Sequence, residues 1–476
     1  MTTRIEADIA VIGGGSGGLS VAAGASQMGA NVVLIEHNKM GGDCLNVGCV
    51  PSKSLLAAAK SVYQIQQTEK FGVSTQEIEI DFSKVMQHVK SVINAIASND
   101  SVERFEGLGV KVILSDAKFL NLNTIIAGEY EVTAKRFVIA TGSSPFVPPI
   151  PGLKDVEFYT NETIFDLTEK PSHLIIIGGG PIGCELAQAF LMLGCKVTVL
   201  EMFNILPRDD ADLVKILQKN FIDQGLEIHE NIKILEILKD DVNKIAINIE
   251  SQGERKTISG SHILVATGRR PIINTLNLES AKVDYSPKGI QVDQYLRTSN
   301  KKIYAIGDCA GPYLFTHIAG YHAGIVIKNI LFKLFAKVDY SVVPWVTYTE
   351  PEFAQVGLIE KEAVQKYKDC RVLIWDFVEN DRAQTEKETM GKIKVITDKK
   401  GNILGVSILG KNAGELLLPW IILMQNKLKI SKMTDCIVPY PTLSEISKRA
   451  AGQFYTPFLF SDKMKKWVRL IQRIFG

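Results

Sequence analysis

The stretch Asp8-Ile-Ala-Val-Ile-Gly13-Gly-Gly15-Ser-Gly-Gly18 decides the fold of this 476-residue chain. It has the pattern of an apolar strand that enters a Gly-x-Gly-x-x-Gly turn and opens a helix of small residues, and the next strand ends at Glu36. The three glycines allow a tight turn, a close approach of pyrophosphate and close packing of the helix on the strand. The stretch therefore predicts a Rossmann-like unit, in which a helix N-terminus binds phosphate and Glu36 accepts hydrogen bonds from a ribose.

The same pattern occurs again in His173-Leu-Ile-Ile-Ile-Gly178-Gly-Gly180-Pro-Ile-Gly183, and the strand after its helix ends at Glu201. In both copies the glutamate follows the first glycine by 23 positions, from 13 to 36 and from 178 to 201. Each copy is later followed by an apolar run that ends in Ala-Thr-Gly, at 137–142 and at 263–268. The repeated context predicts two dinucleotide-binding units in an α/β fold.

Glu201 also bears on the choice of nicotinamide cofactor. A 2′-phosphate would face its carboxylate, whereas an NADP site uses an arginine there. Met202 and Phe203 are uncharged, and Arg208 lies several residues away. The sequence favours NADH over NADPH.

Two cysteines lie in a short glycine-rich turn, Gly41-Gly42-Asp43-Cys44-Leu45-Asn46-Val47-Gly48-Cys49-Val50-Pro51-Ser52-Lys53. Residues five apart in an ideal helix rise about 7.5 Å, which exceeds the roughly 4.4–6.8 Å between the Cα atoms of a disulfide. A bridge therefore needs a distorted turn, which the glycines permit. A helix that begins near Cys49, with Lys53 one turn on, would stabilise a Cys49 thiolate. The pattern predicts a redox-active pair rather than two buried structural thiols.

From Asp8 to about Gly452 the chain resembles the pyridine nucleotide–disulfide oxidoreductase family, the group of dihydrolipoamide dehydrogenase and mercuric reductase. The resemblance implies FAD in the first Rossmann unit and NAD in the second, which is inserted into it. The implied FAD contacts are Gly13, Gly15, Gly18, Glu36, Gly42, Lys53, Thr141, Gly142, Asp308 and Ala319. The implied NAD contacts are Gly178, Gly180, Gly183, Glu201 and Gly268.

The resemblance also implies roles for several residues. Cys49 would be the flavin-facing thiol and Cys44 the thiol that attacks the substrate, while Glu185 would pair with Lys53 beside the flavin. The implied domains are an FAD domain at 1–150 and 271–343, an NAD domain at 151–270, a C-terminal α+β dimerisation domain at 344–455 and a tail at 456–476. A homodimer would build each active site from both subunits.

The chain departs from the family pattern near its C-terminus, in Val438-Pro-Tyr440-Pro-Thr-Leu-Ser-Glu445. Tyr440 takes the place of the family's acid/base histidine, while Glu445 keeps its place, so both are predicted catalytic residues. A phenol, with a pKa near 10, shuttles protons poorly at neutral pH. The primary hypothesis is electron transfer from NADH through FAD and Cys44–Cys49 to a disulfide acceptor. Metal-ion reduction, NADH:quinone transfer at a membrane surface and a non-catalytic nucleotide-binding scaffold are the alternatives.

The remaining cysteines and histidines have simpler interpretations. Cys436 fits an ordinary buried cysteine better than an auxiliary thiol, and His317 matches a family segment that passes the flavin through its backbone. The spacing of the histidines predicts no bound metal. The other cysteines are interpreted as core residues: Cys184, Cys195, Cys309 and Cys370.

Bulk composition and the tail bear on location. A formal charge of +2 gives no sign of nucleic-acid binding, and the glycine-interrupted apolar N-terminal segment is atypical of a signal or membrane segment, which favours the cytoplasm. At 463–475, Met464, Trp467, Val468, Ile471, Ile474 and Phe475 would share one helix face, with lysines and arginines around it. That pattern suits peripheral membrane contact or a terminal helix docked on its own dimer.

Overall fold

The computed structural model describes residues 2–239 and 244–475. The predicted domains also include residue 1, residues 240–243 and residue 476, which lie outside the described residues. The chain divides into two compact units. Unit 1 comprises 1–58, 79–178 and 234–339, and unit 2 comprises 59–78, 179–233 and 340–476. The finer division into three domains and a tail remains a prediction.

The secondary structure follows the chain as two series of elements. The strands are β1 Thr3–Ile12, β2 Val32–Glu36, β3 Val110–Leu114, β4 Ala117–Asn121, β5 Thr124–Ala127, β6 Tyr130–Ile139, β7 Ser143–Pro145, β8 His173–Ile177, β9 Lys196–Leu200, β10 Glu227–His229, β11 Ile232–Lys239, β12 Ile245–Ser251, β13 Glu254–Gly260, β14 His262–Val265, β15 Arg269–Pro271, β16 Tyr285–Ser286, β17 Gly289–Ile290, β18 Ile303–Ala305, β19 Pro344–Thr347, β20 Glu352–Gly357, β21 Cys370–Asp376, β22 Lys392–Asp398 and β23 Ile403–Gly410. The α-helices are α1 Ser16–Gln27, α2 Gly42–Asn46, α3 Cys49–Gln66, α4 Phe82–Ala97, α5 Val102–Gly107, α6 Pro181–Met192, α7 Ala211–Asp223, α8 Thr316–Leu331, α9 Glu360–Lys366, α10 Asp381–Glu386, α11 Ala413–Leu416, α12 Leu418–Gln425, α13 Ser431–Thr434, α14 Glu445–Gly452, α15 Thr456–Leu459 and α16 Asp462–Phe475.

Unit 1 is built on a seven-stranded sheet in the order β3-β2-β1-β6-β5-β4, with β18 also paired to β6. β1, β2, β3, β6 and β18 pair in parallel, whereas β4 and β5 pair antiparallel. Alternate residues of β1 enter different cores, since Ala10 and Ile12 pack in one and Ile9 and Val11 in the other. The sheet is therefore covered on both faces, which explains the continuous apolar run before Gly13.

The second glycine motif has the same local structure as the first. β8 pairs in parallel with β14, and β9 pairs in parallel with β10. The glycine turn leads from β8 into α6, which begins with Pro181. These bounds confirm the strand, turn, helix and strand that the motif predicted.

Unit 2 contains a five-stranded sheet in the order β19-β20-β23-β22-β21. All of its pairs are antiparallel. Helices pack on it around the fully buried Trp420, whose indole N–H donates to Ser447 Oγ at 3.0 Å. The mixture of antiparallel strands and helices is the α+β pattern predicted after Pro344.

Candidate functional site

The first glycine loop is shaped so that only glycine fits at its key positions. Gly13 has φ +110°, and a Cβ there would lie 2.3 Å from the Ala140 carbonyl oxygen. A Cβ on Gly18 would lie 1.8 Å from the Gly13 carbonyl oxygen. The loop therefore lies directly against the first Ala-Thr-Gly tag and against its own helix. α1 begins after Gly15 without a side-chain cap or an acidic residue in its first turn, so its N-terminus can bind an anion.

Glu36 is buried, and its carboxylate holds the loop by accepting hydrogen bonds from two backbone amides. Oε2 accepts a hydrogen bond from the Gly14 amide at 2.5 Å, and Oε1 accepts one from the Asn38 amide at 2.7 Å. Each carboxylate oxygen can accept a further hydrogen bond, so the ribose contact predicted for Glu36 is compatible with this geometry.

The second loop repeats this arrangement at its first glycine and at its glutamate. Gly178 has φ +114°, and a Cβ there would lie 2.5 Å from the Ala266 carbonyl oxygen. Glu201 accepts hydrogen bonds from the Gly179 amide at 2.6 Å and from the Phe203 amide at 2.9 Å. α6 likewise begins without a side-chain cap. The two loops therefore share the left-handed first glycine and the glutamate that accepts the amide of the next glycine.

The glycines of the two Ala-Thr-Gly tags and Gly180 of the second loop have open space beside their backbone. Gly142 and Gly268 both have positive φ, +69° and +123°, and a Cβ on either would meet no atom within 4 Å. Gly180 is equally open, whereas Gly183 is buried in α6. These positions fit a ligand that approaches the backbone closely.

The redox turn is defined as residues 43–49. The glycines just before it lie against the first glycine loop. Gly41 donates its amide to the Gly14 carbonyl at 2.9 Å, and a Cβ on Gly42 would lie 2.6 Å from Gly15 Cα. Cys44 lies in α2, and Cys49 is the first residue of α3. The break between these helices is the distorted turn that the spacing required, and the predicted helix start at Cys49 is confirmed.

The two sulfurs interact. A hydrogen bond to Cys49 and burial raise the pKa of the Cys44 thiol, while a hydrogen bond with Thr316 opposes them. Cys44 therefore holds its proton strongly, and negative charge on the pair is better placed on Cys49 at the helix N-terminus. Cys49 is exposed, and half-buried Lys53 lies one turn further along α3.

Thr316 is a site residue that the sequence did not reveal. Its hydroxyl lies 3.6 Å from Cys49 Sγ, although 267 positions separate the two residues. Thr316 begins α8 and precedes His317, whose ring stacks on Phe315 with centroids 5.1 Å apart. The resemblance of the segment around His317 to the family could have pointed to Thr316. The flavin contact assigned to His317 remains a prediction.

A polar network connects Asp308 to the redox turn. The Ser143 hydroxyl donates to Asp308 Oδ2 at 2.6 Å, and burial raises the pKa of the Asp308 carboxyl. Arg269 donates to Ser143 Oγ at 2.7 Å and to Asp43 Oδ1 at 2.8 Å. Asn161 donates to the Val47 carbonyl at 3.1 Å. Arg269, Ser143 and Asn161 were not predicted from the sequence.

Ala319 lies where α8 approaches the first loop. Its Cβ would be 3.3 Å from a Cβ on Gly17 and 3.2 Å from one on Gly307. One turn further along α8, the fully buried His322 accepts a hydrogen bond at Nδ1 from the Gly307 amide at 3.1 Å. Thr141, also predicted at the cofactor, donates its hydroxyl to the Ile272 carbonyl at 2.6 Å.

The other predicted catalytic residues belong to unit 2. Glu185 is buried on α6, and its Oε1 accepts a hydrogen bond from the Tyr348 amide at 2.9 Å. Tyr440 is 70% exposed and donates its hydroxyl to Asp381 Oδ2 at 2.9 Å, which raises the pKa of the phenol. Glu445 begins α14. The pairing of Glu185 with Lys53 and the catalytic roles of Tyr440 and Glu445 remain predictions.

The remaining cysteines divide into two groups. Cys184, Cys195 and Cys309 are buried, which confirms them as core residues. Cys370 is only half-buried, so its prediction was wrong, because it begins β21 at the open edge of the unit 2 sheet. Cys436 is exposed, so the preferred interpretation of a buried cysteine was also wrong. It follows the short helix α13, and its Sγ donates to the Lys432 carbonyl at 3.2 Å.

Two glycine-loop nucleotide units and a cysteine pair at a helix start define the class of a flavoprotein with redox-active thiols. The model of the pyridine nucleotide–disulphide oxidoreductases matches residues 7–324, and that of their dimerisation domain matches 343–451. The chain belongs to this family, whose members are NAD(P)H-dependent, FAD-containing disulfide oxidoreductases. The fold class predicted from the sequence is thereby confirmed.

Individual relatives fall into several named groups. A mercuric reductase of Staphylococcus aureus is 34% identical over 94% of this chain and 82% of its own length. A dihydrolipoyl dehydrogenase of Bacillus subtilis is 33% identical over 92% of this chain and 96% of its own. The solved HOCl-induced flavoprotein disulfide reductase RclA of Escherichia coli is 28% identical, with a TM-score of 0.84 over 94% of this chain and 99% of its own.

The residues of unit 1 fit the FAD that the family implies. The uncapped start of α1 suits the pyrophosphate, and buried Glu36 suits a ribose. The open space beside Gly142 lets a ligand approach the backbone there. Cys49 is exposed, so its sulfur is accessible to a bound flavin. These features are in keeping with the predicted FAD-binding residues.

Proposed function

We propose that this protein passes electrons from NADH to the Cys44–Cys49 pair and from there to a disulfide acceptor. The observation that carries this proposal is the redox turn itself, which joins the first glycine loop to a helix that begins at Cys49. When bound, FAD accepts hydride from the nicotinamide and delivers two electrons to the cysteines. The chain's own residues then determine where charge and protons are held.

The stoichiometry assigns a task to each thiol. One hydride converts the Cys44–Cys49 disulfide into one thiol and one thiolate, with no further proton. The raised pKa of Cys44 leaves the proton on that sulfur. The N-terminus of α3 favours the thiolate on Cys49, and Thr316 supplies a nearby hydroxyl. Cys44 would then attack one sulfur of the acceptor disulfide and give its proton to the thiolate that leaves. The Cys49 thiolate would attack Cys44 Sγ, release the second acceptor thiolate and close the Cys44–Cys49 disulfide again.

NADH is the donor that we propose. Glu201 presents a half-buried carboxylate that accepts a hydrogen bond from the Gly179 amide, and a 2′-phosphate would be repelled there. Met202 and Phe203 beside it are 62% and 65% exposed and carry no charge. Comparison of KM for NADH and NADPH tests this choice directly.

Metal-ion reduction is the second candidate function, and Tyr440 favours it. Reduction of an external disulfide to two thiols consumes a proton, and a phenol with a raised pKa supplies one poorly. Reduction of a divalent ion such as Hg(II) to the metal instead releases the proton of Cys44. Hg(II)-stimulated NADH oxidation that disappears in Cys44→Ser would support this candidate.

The electron path is tested by an anaerobic titration with NADH. We expect more than one two-electron equivalent to be taken up, with a long-wavelength absorbance band from the Cys49 thiolate beside the flavin. Cys49→Ser should abolish the band and reduce the uptake to one equivalent. Cys370→Ser is the matched control, because that thiol begins β21 in the unit 2 sheet. A Cys49→Ser protein that titrates like the parent contradicts the proposal.

We further propose a cytoplasmic homodimer whose tail contacts the membrane surface. The dimerisation domain supports the homodimer. No helix within residues 2–239 and 244–475 is long and apolar enough to cross a membrane. α16 has no buried residue, and its apolar face exposes Trp467, Ile474 and Phe475 between lysines and arginines. Such a face complements an anionic lipid surface.

A further inference from the structure

The Asp43 side chain lies between the redox turn and Arg269. A Cβ added to Gly48 would be 2.7 Å from Asp43 Oδ2, so this carboxylate oxygen packs directly on the backbone between the two cysteines. Asp43 Oδ1 pairs with Arg269 Nη2 at 2.8 Å. The side chain of Arg269 is 12% exposed and that of Asp43 is 38% exposed, so solvent reaches the carboxylate but little of the guanidinium.

Arg269 uses its guanidinium as a fork. Besides Asp43 it donates to Ser143 Oγ and to the Ser143 carbonyl, each at 2.7 Å, and to Asn161 Oδ1 at 3.3 Å. Ser143 in turn donates to Asp308, and Asn161 donates to the Val47 carbonyl inside the turn. One buried cation therefore holds both ends of residues 43–47 and the serine that orients Asp308. Lysine, with a single ammonium, could not make these directed contacts together.

We infer that Arg269 is a positioning residue that fixes the redox turn relative to Asp308 and neutralises the Asp43 carboxylate beside Cys44. The inference rests on the proposed function, because it concerns the same cysteine pair. Without Arg269, the half-buried Asp43 carboxylate, one residue from Cys44, lacks its counter-charge and disfavours negative charge on that sulfur. Without the Asp43 carboxylate, the guanidinium alone favours negative charge on Cys44.

The two changes therefore have opposite effects on the reactivity of Cys44. In the dithiol form of the holoenzyme at neutral pH, we expect iodoacetamide to alkylate Cys44 about threefold or more slowly in Arg269→Met than in the parent. Asp43→Asn should accelerate alkylation of Cys44 by a similar factor. Peptide mass spectrometry assigns the modified sulfur. The double variant should return towards the parent rate, which a purely structural lesion would not do.

A second readout follows the thiolate on Cys49. Asp43→Asn moves negative charge towards Cys44, so the long-wavelength band of the NADH-reduced protein should fall by about half or more. Arg269→Lys should restore the Cys44 alkylation rate only partly compared with Arg269→Met, because lysine restores the positive charge but not the several directed hydrogen bonds of the guanidinium. Arg270→Met is the matched control, since this neighbouring arginine stacks its guanidinium on the Phe146 ring, 3.8 Å from the ring centroid. It should leave both readouts unchanged.

The outcomes separate the inference from the proposed function. If the parent shows the band and both Arg269→Met and Asp43→Asn alkylate at the parent rate, Arg269 does not position the turn. The same holds if both variants change the rate in the same direction. If the parent itself shows no band that depends on Cys49, the proposed electron path fails, while the alkylation rates still judge the role of Arg269. If Arg269→Met loses its flavin, the alkylation rate of Asp43→Asn decides the inference: faster alkylation of Cys44 supports it, and an unchanged or slower rate overturns it.

Discussion

At the scale of single residues, Tyr440 is the residue by which we propose that this protein selects its electron acceptor. Its hydroxyl donates to Asp381, and this contact raises the pKa of the phenol. A disulfide acceptor needs a proton at each turnover, whereas a metal dication does not. Under this proposal, tyrosine in place of the family histidine favours metal-ion reduction over disulfide reduction.

Restoring the histidine should change the acceptor preference. In Tyr440→His the imidazole, near Asp381 and with a pKa near 6.5, can exchange protons at neutral pH. We expect turnover with lipoamide to rise by about tenfold or more, while Hg(II)-dependent NADH oxidation stays the same. Tyr440→Phe is the control for loss of the hydroxyl alone. No gain with lipoamide would mean that proton transfer is not what limits this acceptor.

His322 makes the Gly307 segment sensitive to acid. Burial lowers the pKa of the imidazole from 6.5 to about 4, and neutral Nδ1 accepts the Gly307 amide. Because the folded pKa is depressed, the unfolded chain takes up the proton first, and stability falls as the pH drops from about 6.5 to about 4. In His322→Gln, whose amide oxygen can replace Nδ1, thermal midpoints should lose this part of their pH dependence. An unchanged pH profile in the variant would contradict the assignment.

At the scale of secondary-structure elements, Lys394 joins two helix starts to one strand. It lies on β22 with its side chain 2% exposed, and its ammonium contacts Asp210, Asp212 and Glu360 at 2.9, 2.9 and 2.7 Å. Asp210 caps α7, and Glu360 begins α9. Burial alone would lower the pKa of Lys394, but the three carboxylates outweigh it and raise the pKa.

Removal of this cation should be costly. Lys394→Met leaves Asp210, itself 3% exposed, beside a second carboxylate without a counter-charge, and we expect a loss of about 3 kcal/mol in unfolding free energy. Urea denaturation followed by circular dichroism measures the loss. Lys399→Met is the matched control, because Lys399 and its partner Asp369 are both about two-thirds exposed and should contribute little. Equal midpoints for the two variants would contradict the prediction.

Local elements were the part of the structure that the sequence predicted well. The glycine spacing and the glutamate 23 positions on predicted the two loops and their carboxylates, because those contacts arise within one strand–turn–helix–strand unit. The contacts of Cys49 with Thr316 and of Asp43 with Arg269 span 267 and 226 positions. They depend on the order of strands in the sheet and on which loop ends meet, which no local pattern encodes. The partial exposure of Cys370 and the exposure of Cys436 were missed for the same reason.

At the scale of the whole molecule, the tail lies beyond the part of the chain that the family models match. The family models match up to residue 451, whereas α16 begins at Asp462. Its apolar face carries Trp467, Ile474 and Phe475, which are 58%, 62% and 84% exposed. An exposed face of this kind on a terminal helix points to a surface that covers it, and the surrounding cations select an anionic one.

Binding to lipid vesicles tests this directly. The full-length protein should sediment with vesicles that contain about one-third anionic phosphatidylglycerol, should not sediment with pure phosphatidylcholine, and should be released as salt rises. Lys465→Glu/Lys466→Glu should weaken binding about tenfold or more, since each basic residue near the surface contributes about 1 kcal/mol. Lys361→Glu/Lys366→Glu on α9 is the control of equal charge change at exposed positions. If deletion of 461–476 leaves vesicle binding unchanged, or instead dissociates the dimer in gel filtration, then the helix covers its own dimer rather than a membrane.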